Sequence, residues 1–152
     1  MKHDDLYMRI AHTIAAQSHC ERSKVGAVIV RDDNIVAFGW NGTPPGFDNA
    51  CELDGVTRPE VVHAEQNALA KAARSTVSTK GATLYCTVSP CYECAKSIIQ
   101  AGIERVVYEE QYRDATPLAF ILSAGVAVEQ HISPLAPWLE SVMDNIDAAL
   151  GL

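Results

Sequence analysis

The sequence lacks the features expected of a membrane protein, a secreted protein or a protein that grips long nucleic acids. Its uncharged stretches, such as residues 82–91, are too short or too interrupted to cross a bilayer. The first five residues, MKHDD, contain no apolar run of the kind found in a secretory signal, so we expect a cytoplasmic protein. Twelve Lys and Arg residues against 19 Asp and Glu residues give a formal charge of −7. No basic stripe is present, which argues against polymeric nucleic acid as a partner.

Internal repeats, low-complexity tracts and linkers are also missing. A chain of 152 residues is the length of one domain, and 48% hydrophobic residues supply enough apolar side chains for a core. We therefore expect a single domain over residues 1–152. Five cysteines is an odd number, and in a cytoplasmic protein we expect all of these thiols to be reduced.

Helix and strand patterns alternate along the chain. An acidic cap at Asp4 or Asp5 predicts a first helix that ends near Ser18, and its apolar positions are Leu6, Ile10 and Ile14. The β-branched runs at 25–30 and 35–40 predict a hairpin, followed by a long loop over 40–58. Further helices are predicted at 63–74, 91–101 and 117–124, and further strands at 83–88, 104–108 and 126–131. This order predicts an α/β fold with a mixed sheet between helices.

The end of the chain carries an apolar stripe at helical spacing. Its positions are Leu139, Val142, Met143, Ile146 and Leu150. The stripe predicts a helical extension at about residues 135–150, which covers either the domain or a neighbouring subunit.

Two short motifs bear on chemistry, His63-Ala64-Glu65 and Pro90-Cys91-Tyr92-Glu93-Cys94. Cysteines at positions i and i+3 lie on one face of a helical turn, so both thiolates can bind the same ion, and a histidine at another helix start can supply a third ligand. Three protein ligands leave one coordination position open, which is typical of a catalytic zinc. Glu65 is two residues from His63, an offset that turns the two side chains apart on a helix, so we interpret Glu65 as a neighbour of the site and not as a ligand. Alone, a Cys-x-x-Cys pair is often a redox pair or half of a structural zinc site, but the two motifs together favour catalytic zinc.

Longer segments of the sequence resemble the deoxycytidylate (dCMP) deaminases, and the short phage members in particular. The matching segments are Arg22-Ser23-Lys24-Val25-Gly26-Ala27-Val28, Gly39-Trp40-Asn41-Gly42-Thr43-Pro44-Pro45-Gly46-Phe47, both zinc motifs, Gln100-Ala101-Gly102-Ile103 and Tyr112-Arg113. The resemblance implies a three-layer α/β/α sandwich with a mixed five-stranded sheet. It also implies hydrolysis of dCMP to dUMP and ammonia, which supplies dUMP for dTMP synthesis.

The resemblance assigns expected roles to individual residues. Zinc bound by His63, Cys91 and Cys94 activates a water molecule, and Glu65 moves the protons. The expected substrate contacts are Asn41 for the deoxyribose, Ala64 and Ser89 for the base, and Arg22, Tyr112 and Arg113 for the 5′-phosphate. Family members of this kind are homohexamers activated by dCTP with Mg²⁺ and inhibited by dTTP. The candidate effector contacts here are Lys24, Gly42, Thr43 and Gly46.

Three cysteines lie outside the zinc motif. Cys86 is in an apolar strand and is interpreted as a core residue. Some phage relatives have a second, structural zinc near the positions of Cys20 and Cys51. The segment between Glu52 and Val62 supplies no further Cys or His ligand, so buried or free thiols are favoured over a second zinc.

Two other functions remain open on the sequence alone. One is a zinc deaminase with a different substrate, such as free cytidine, guanine, a riboflavin precursor or an adenosine in transfer RNA. The other is a non-catalytic zinc module that senses nucleotides, for which Glu65 would have no role in turnover.

Overall fold

The structure is a computed structural model that describes residues 2–133, 142, 145 and 148–151. The predicted helical extension at about 135–150 falls for the most part outside the described residues. None of the helices within the described residues is both long and apolar enough to span a membrane.

One mixed sheet of five strands forms the centre of the fold. Its strands, in the order in which they lie side by side, are β2 (Asn34–Trp40), β1 (Gly26–Arg31), β5 (Thr83–Val88), β6 (Arg105–Glu110) and β7 (Ala127–Gln130). β1 is antiparallel to both β2 and β5, whereas β5, β6 and β7 are parallel. The predicted mixed five-stranded sheet is confirmed.

Helices cover both faces of this sheet. They are α1 (Asp4–Ala15), α2 (Ala64–Ala73), α3 (Tyr92–Gln100) and α4 (Thr116–Ser123). The apolar sides of α2, α3 and α4 pack on one face of the sheet, in a cluster that includes Ala68, Ile98 and Ile121. α1 packs on the other face, where Met8 and Ala11 belong to the same buried cluster as Val28. The three-layer α/β/α sandwich is therefore confirmed.

The buried side of α1 differs from the predicted one. Tyr7, Met8, Ala11 and Ala15 are buried, while Leu6 is 44% exposed. Ile10 and Ile14 are partly buried at the margin of this cluster. The buried face of α1 is therefore shifted by about one position from the predicted face. The shift arises because alanine and tyrosine side chains, and not the larger aliphatic ones, occupy most of the buried positions.

The segment predicted as one long loop over 40–58 contains a second, two-stranded sheet. β3 (Glu52–Leu53) and β4 (Val56–Thr57) pair antiparallel, with Glu52 opposite Thr57. Asp54 and Gly55 form the turn between them with φ angles of 51° and 75°, which matches the Asp-Gly preference of tight hairpin turns.

Gly39 on β2 allows α2 to lie unusually close to the sheet. A Cβ atom at this position would be 2.5 Å from both the carbonyl oxygen of Ala64 and the backbone nitrogen of Ala68. One turn into α2, the side-chain amide of Asn67 donates a hydrogen bond to the carbonyl of Trp40 at 2.9 Å. The start of α2 is thus fixed against the end of β2.

A buried arginine on β6 joins the start of α1 to the edge strand β7. Arg105 on β6 donates to Asp4 at 2.6 Å and to Glu129 at 2.7 Å. The side chains of Arg105 and Asp4 are 10% and 14% exposed. The Arg105 guanidinium holds the pKa of Asp4 well below its ordinary value. The hydroxyl of Tyr85 also donates to Asp4, at 2.7 Å.

Candidate active site

Four chain segments converge at one edge of the central sheet. The segment before β1 and the segments after β2, β5 and β6 all lie at this edge, because β1 is antiparallel to β2 and β5, and β5 is parallel to β6. The N-termini of α2 and α3 lie at the same place, since α3 follows β5 directly. Residues far apart in sequence are therefore close together here.

Three metal-ligand side chains meet at this edge. The Nδ1 atom of His63 lies 3.3 Å from the Sγ atom of Cys91 and 3.4 Å from the Sγ atom of Cys94. Within the described part of the chain, these residues form the only group of three or more His, Cys, Asp or Glu ligands within 4.8 Å of one another.

Helix starts explain this grouping. His63 is the residue immediately before α2, and Cys91 is the residue immediately before α3, both in extended conformation. Pro90 comes just ahead of α3, where the absence of a backbone N–H costs no helical hydrogen bond. Cys94 lies in the first turn of α3, on the same side as Cys91. The positive ends of two helix dipoles thus favour thiolates at this point.

The three side chains fit a tetrahedral zinc ion. A zinc ion bound at about 2.0–2.1 Å to nitrogen and about 2.3 Å to sulfur places neighbouring N and S ligand atoms about 3.6 Å apart. The N···S distances of 3.3 and 3.4 Å are close to this value. One imidazole and two thiols are also the ligand types that zinc prefers, and they leave one tetrahedral position open.

The acidities of the three groups are strongly linked. Hydrogen bonds from the Cys94 thiol and the His63 ring lower the pKa of Cys91 to about 3. The neighbouring Cys91 sulfur and burial raise the pKa of Cys94. The Cys91 sulfur also raises the pKa of His63. Two adjacent thiolates repel each other, so a cation is needed for both cysteines to be ionised together.

Glu65 is buried beside this cluster. Its side chain is in the first turn of α2, contacts the Cys94 thiol and is only 4% exposed. Burial raises the pKa of Glu65 above the ordinary value of a glutamate. A carboxyl group placed in this way is suited to carrying a proton.

A cleft of about 560 Å³ opens next to the cluster. Every residue predicted to contact substrate lines it: Arg22, Asn41, Ala64, Ser89, Tyr112 and Arg113. His63, Glu65 and Cys91 line it as well. The volume suits a small ligand such as a mononucleotide.

Hydrogen bonds hold several of these residues in place. The side chain of Asn41 accepts from the Val25 N–H and donates to the Ser23 carbonyl, each at 2.8 Å. One lone pair and one N–H of this amide remain for a ligand. Ser89 donates its backbone N–H to the Glu110 carbonyl at 2.8 Å, and its hydroxyl accepts from the Tyr112 N–H at 2.7 Å.

Part of the cleft lining was not predicted from the sequence. Glu52 and Thr57 of the β3–β4 hairpin and Gln111 after β6 also face the cleft. The Asp54-Gly55 turn was the signal that could have revealed the hairpin. No comparable signal marks Gln111 in the sequence.

The candidate effector residues fall outside this cleft. The backbone N–H of Gly42 donates to the Val62 carbonyl at 3.1 Å and so already has a partner within the chain. The Thr43 hydroxyl donates to the Asp48 carbonyl at 2.6 Å.

The other two candidate effector residues are exposed. The ammonium of Lys24 donates to the carbonyl of Ser18, in the segment that follows α1. Gly46 has a φ of 97° and forms a turn in the loop after β2. An effector site at these positions stays a prediction.

Cys20 and Cys51 form a disulfide, so the expectation that all five cysteines are reduced is wrong for this pair. The segment before β1 and the start of β3 bring their Cα atoms to 5.1 Å. A second zinc at these cysteines is also contradicted, because the sulfur atoms are bonded to each other and within the described residues no third ligand joins them. Cys86 is a free, fully buried core residue, in agreement with its interpretation from sequence.

Comparison with known proteins relates this site to a family. The model of the cytidine and deoxycytidylate deaminase zinc-binding region matches residues 1–110. The deoxycytidylate deaminase of Saccharomyces cerevisiae is 39% identical over 138 residues, which cover 84% of this chain and 44% of that protein. The deoxycytidylate deaminase of Mycobacterium phage D29 is 41% identical over 123 residues, which cover 71% of this chain and 94% of that protein. The chain thus spans less than half of the yeast relative and nearly all of the phage relative.

A solved structure is similar throughout the fold. The crystal structure of the dCMP deaminase from cyanophage S-TIM5 in complex with dCMP and dUMP is 46% identical, with a TM-score of 0.84. The match covers 86% of this chain and 97% of the cyanophage chain. With a His-Cys-Cys cluster, a buried glutamate and a family model that matches more than two thirds of its length, this chain belongs to the zinc-binding cytidine and deoxycytidylate deaminase family.

Proposed function

We propose that this chain catalyses the hydrolytic deamination of dCMP to dUMP and ammonia, and so supplies dUMP for dTMP synthesis. The observation that carries this proposal is the buried carboxyl group of Glu65 beside the His63, Cys91 and Cys94 cluster, in a cleft that also contains two arginines. The cyanophage relative, which is similar over nearly its whole length, binds dCMP and dUMP.

His63, Cys91 and Cys94 are the residues that would hold the zinc ion. When bound, zinc supplies a Lewis acid that lowers the pKa of a water molecule to about 7. Glu65 accepts a proton from the attacking water and transfers it to N3 of the cytosine ring. Glu65 then takes the proton that remains on the oxygen added at C4 and delivers it to the N4 amine. The C4–O bond forms, the C4–N4 bond breaks, and ammonia leaves.

Backbone groups at two segment ends recognise the base in this proposal. Ala64 is the first residue of α2, where backbone N–H groups have no partner within the helix. Its N–H donates a hydrogen bond to the edge of the cytosine base. Ser89 uses its own N–H to bind Glu110, so its carbonyl oxygen is the group that accepts from the N4 amine. Asn41 contacts the deoxyribose with the donor and the acceptor that the loop leaves unused.

Two arginines bind the 5′-phosphate in this proposal. A phosphate monoester dianion is recognised best by the fork-shaped guanidinium group. Arg22 and Arg113 are both exposed and lie in segments at the same edge of the sheet. The ring of Tyr112 lies under Arg113, with the guanidinium carbon 5.8 Å from the ring centre, and limits the orientations of that side chain.

A substrate panel tests this proposal. We expect ammonia release from dCMP and much slower release from CMP, deoxycytidine and an RNA hairpin. Equal activity on deoxycytidine would contradict the phosphate roles of the two arginines. Activity on a different aminated base with none on dCMP would contradict the substrate assignment and leave a zinc deaminase of another specificity.

We further propose the assembly and regulation that are typical of this family. The protein is a homohexamer with one domain per chain. It is activated by dCTP with Mg²⁺ and inhibited by dTTP. It acts in the cytoplasm, which holds the pool of free nucleotides.

A further inference from the structure

Glu52, at the start of β3, holds the backbone of the segment that carries Arg22. Its Oε1 atom accepts from the N–H of Glu21 at 3.1 Å and from the N–H of Arg22 at 3.2 Å. Its Oε2 atom accepts from the Glu21 N–H at 3.3 Å. Hydrogen bonds from N–H groups to an ionised carboxylate are stronger than those between neutral groups.

The guanidinium of Arg22 contacts Thr57, the residue paired with Glu52 in the hairpin. Its Nη1 atom donates to the Thr57 hydroxyl at 3.2 Å, and Thr57 is the residue opposite Glu52 in the β3–β4 pairing. The backbone and the side chain of Arg22 are thus both held by one pair of hairpin residues. A loop residue held at two points loses less conformational entropy when it binds a ligand.

The charge of Arg22 is left available by this arrangement. Among the described residues, no Asp or Glu oxygen lies within the 4 Å ion-pair distance of its guanidinium. Although Glu52 also lines the cleft, its oxygens bind backbone N–H groups of the neighbouring segment. A hydroxyl partner at Thr57 orients the guanidinium without neutralising it.

We propose that Glu52 is a positioning residue for phosphate recognition, which fixes Arg22 toward the substrate 5′-phosphate. This inference rests on the proposed function. It goes beyond that function in assigning a role to a hairpin carboxylate that itself carries the same sign of charge as the ligand.

Steady-state kinetics with dCMP in the presence of the reductant TCEP test the proposal. The Cys20–Cys51 disulfide also links the segment that carries Arg22 to the start of β3. TCEP reduces this disulfide, so that the experiment tests the hydrogen bonds of the Glu52 carboxylate. For E52A we expect KM to rise about tenfold with kcat within about twofold of the unaltered protein. E52Q keeps one acceptor oxygen, so we expect it to recover most of this loss.

D54N is the matched control. Asp54 is exposed at the tip of the same hairpin, and Asn tolerates its φ of 51°. The substitution changes the net charge as E52Q does, and we expect KM to stay unchanged. A rise in KM for D54N equal to that for E52A would overturn the proposal in favour of a general charge effect.

A double-mutant cycle separates positioning from a merely structural role. If Glu52 acts through Arg22, E52A raises KM no further when R22A is already present. Additive effects of the two substitutions would overturn the proposal. If E52A does not fold, E52D replaces it, because its shorter side chain withdraws the carboxylate from both N–H groups and is expected to raise KM in the same way.

Failure of this inference can be distinguished from failure of the proposed function. A protein that releases ammonia from dCMP, and whose E52A and E52D variants keep the original KM, retains its function while the role of Glu52 is refuted. A protein with no activity on dCMP refutes the function on which the inference rests.

Discussion

The Sγ atom of Cys94 lies 3.4 Å from the Nδ1 atom of His63, although 31 residues separate the two in sequence. The contact joins the starts of two helices that pack on the same face of the sheet. Because each helix is fixed by its own core contacts, the packing of the two helices determines how close the ligand atoms lie.

Replacement of one ligand should remove the metal. We expect C94A to lose bound zinc, measured by elemental analysis of the purified protein, and to unfold at a lower temperature. C86A is the control, because Cys86 is fully buried in β5 and is not part of the cluster. Zinc retained at one equivalent per chain in C94A would contradict the assignment of this ligand.

Substitution of the proton carrier should abolish turnover and spare the metal. We expect E65Q to lower kcat by about 10²–10⁴-fold, since the amide cannot accept the proton from water. The zinc content should match that of the unaltered protein. A non-catalytic nucleotide sensor makes the opposite prediction, in which E65Q changes no measurable property.

Effector nucleotides should change the substrate curve. With dCTP and Mg²⁺ present, the dependence of rate on dCMP concentration is expected to become less sigmoidal, and dTTP should oppose this change. Initial rates over a range of dCMP concentrations measure the effect. Hyperbolic curves that neither nucleotide alters would refute regulation while leaving the catalytic proposal intact.

The buried ion pair of Asp4 and Arg105 predicts a pH-dependent contribution to stability. We expect D4N to lower the free energy of unfolding at neutral pH by about 1–3 kcal/mol. The loss is not larger because Arg105 keeps its ion pair with Glu129 and is not left unpaired. The folded protein holds the pKa of Asp4 below its unfolded value, so the contribution is present above pH of about 4 and is lost as the pH falls through the folded pKa.

Urea unfolding from pH 7 to pH 3 measures this effect. The difference between D4N and the unaltered protein should shrink as the pH falls below about 4. D5N is the control, since Asp5 is 51% exposed in its pair with His131, and we expect a smaller change at pH 7. A difference that grows toward acid pH would contradict the assignment.

Local patterns were sufficient to predict most of the fold. The β-branched runs at 25–30 and 35–40 located β1 and β2. Gly102 and Gly125, which follow α3 and α4 with φ angles of 73° and 84°, are the kind of residue that ends a helix. The face of α1 was less predictable, because its buried positions are alanines, a methionine and a tyrosine, which a count of aliphatic residues ranks too low. The two-residue strands β3 and β4 are too short to show alternation.

The metal ligands were predictable because their chemistry is encoded in spacing within short motifs. The proposed role of Glu52 was not predictable from the sequence. Its hydrogen-bond partners, Glu21 and Arg22, lie 31 and 30 residues away, and these contacts depend on how the β3–β4 hairpin packs against their segment. The Cys20–Cys51 bond was missed for a different reason. The cellular compartment bears on all cysteines alike, whereas proximity in the fold decides which two can pair.

Gly39 affects how close the His63 ring can lie to the two cysteine sulfur atoms. Because β2 presents only a hydrogen atom at this position, the first turn of α2 comes closer to the strand than any other residue would permit. A single added methyl group would push the helix outward and widen the gap that His63 must bridge to the two sulfur atoms. The coordination geometry of the site is therefore set in part by a residue that touches neither the ion nor the nucleotide, and G39A should weaken metal retention without altering any ligand.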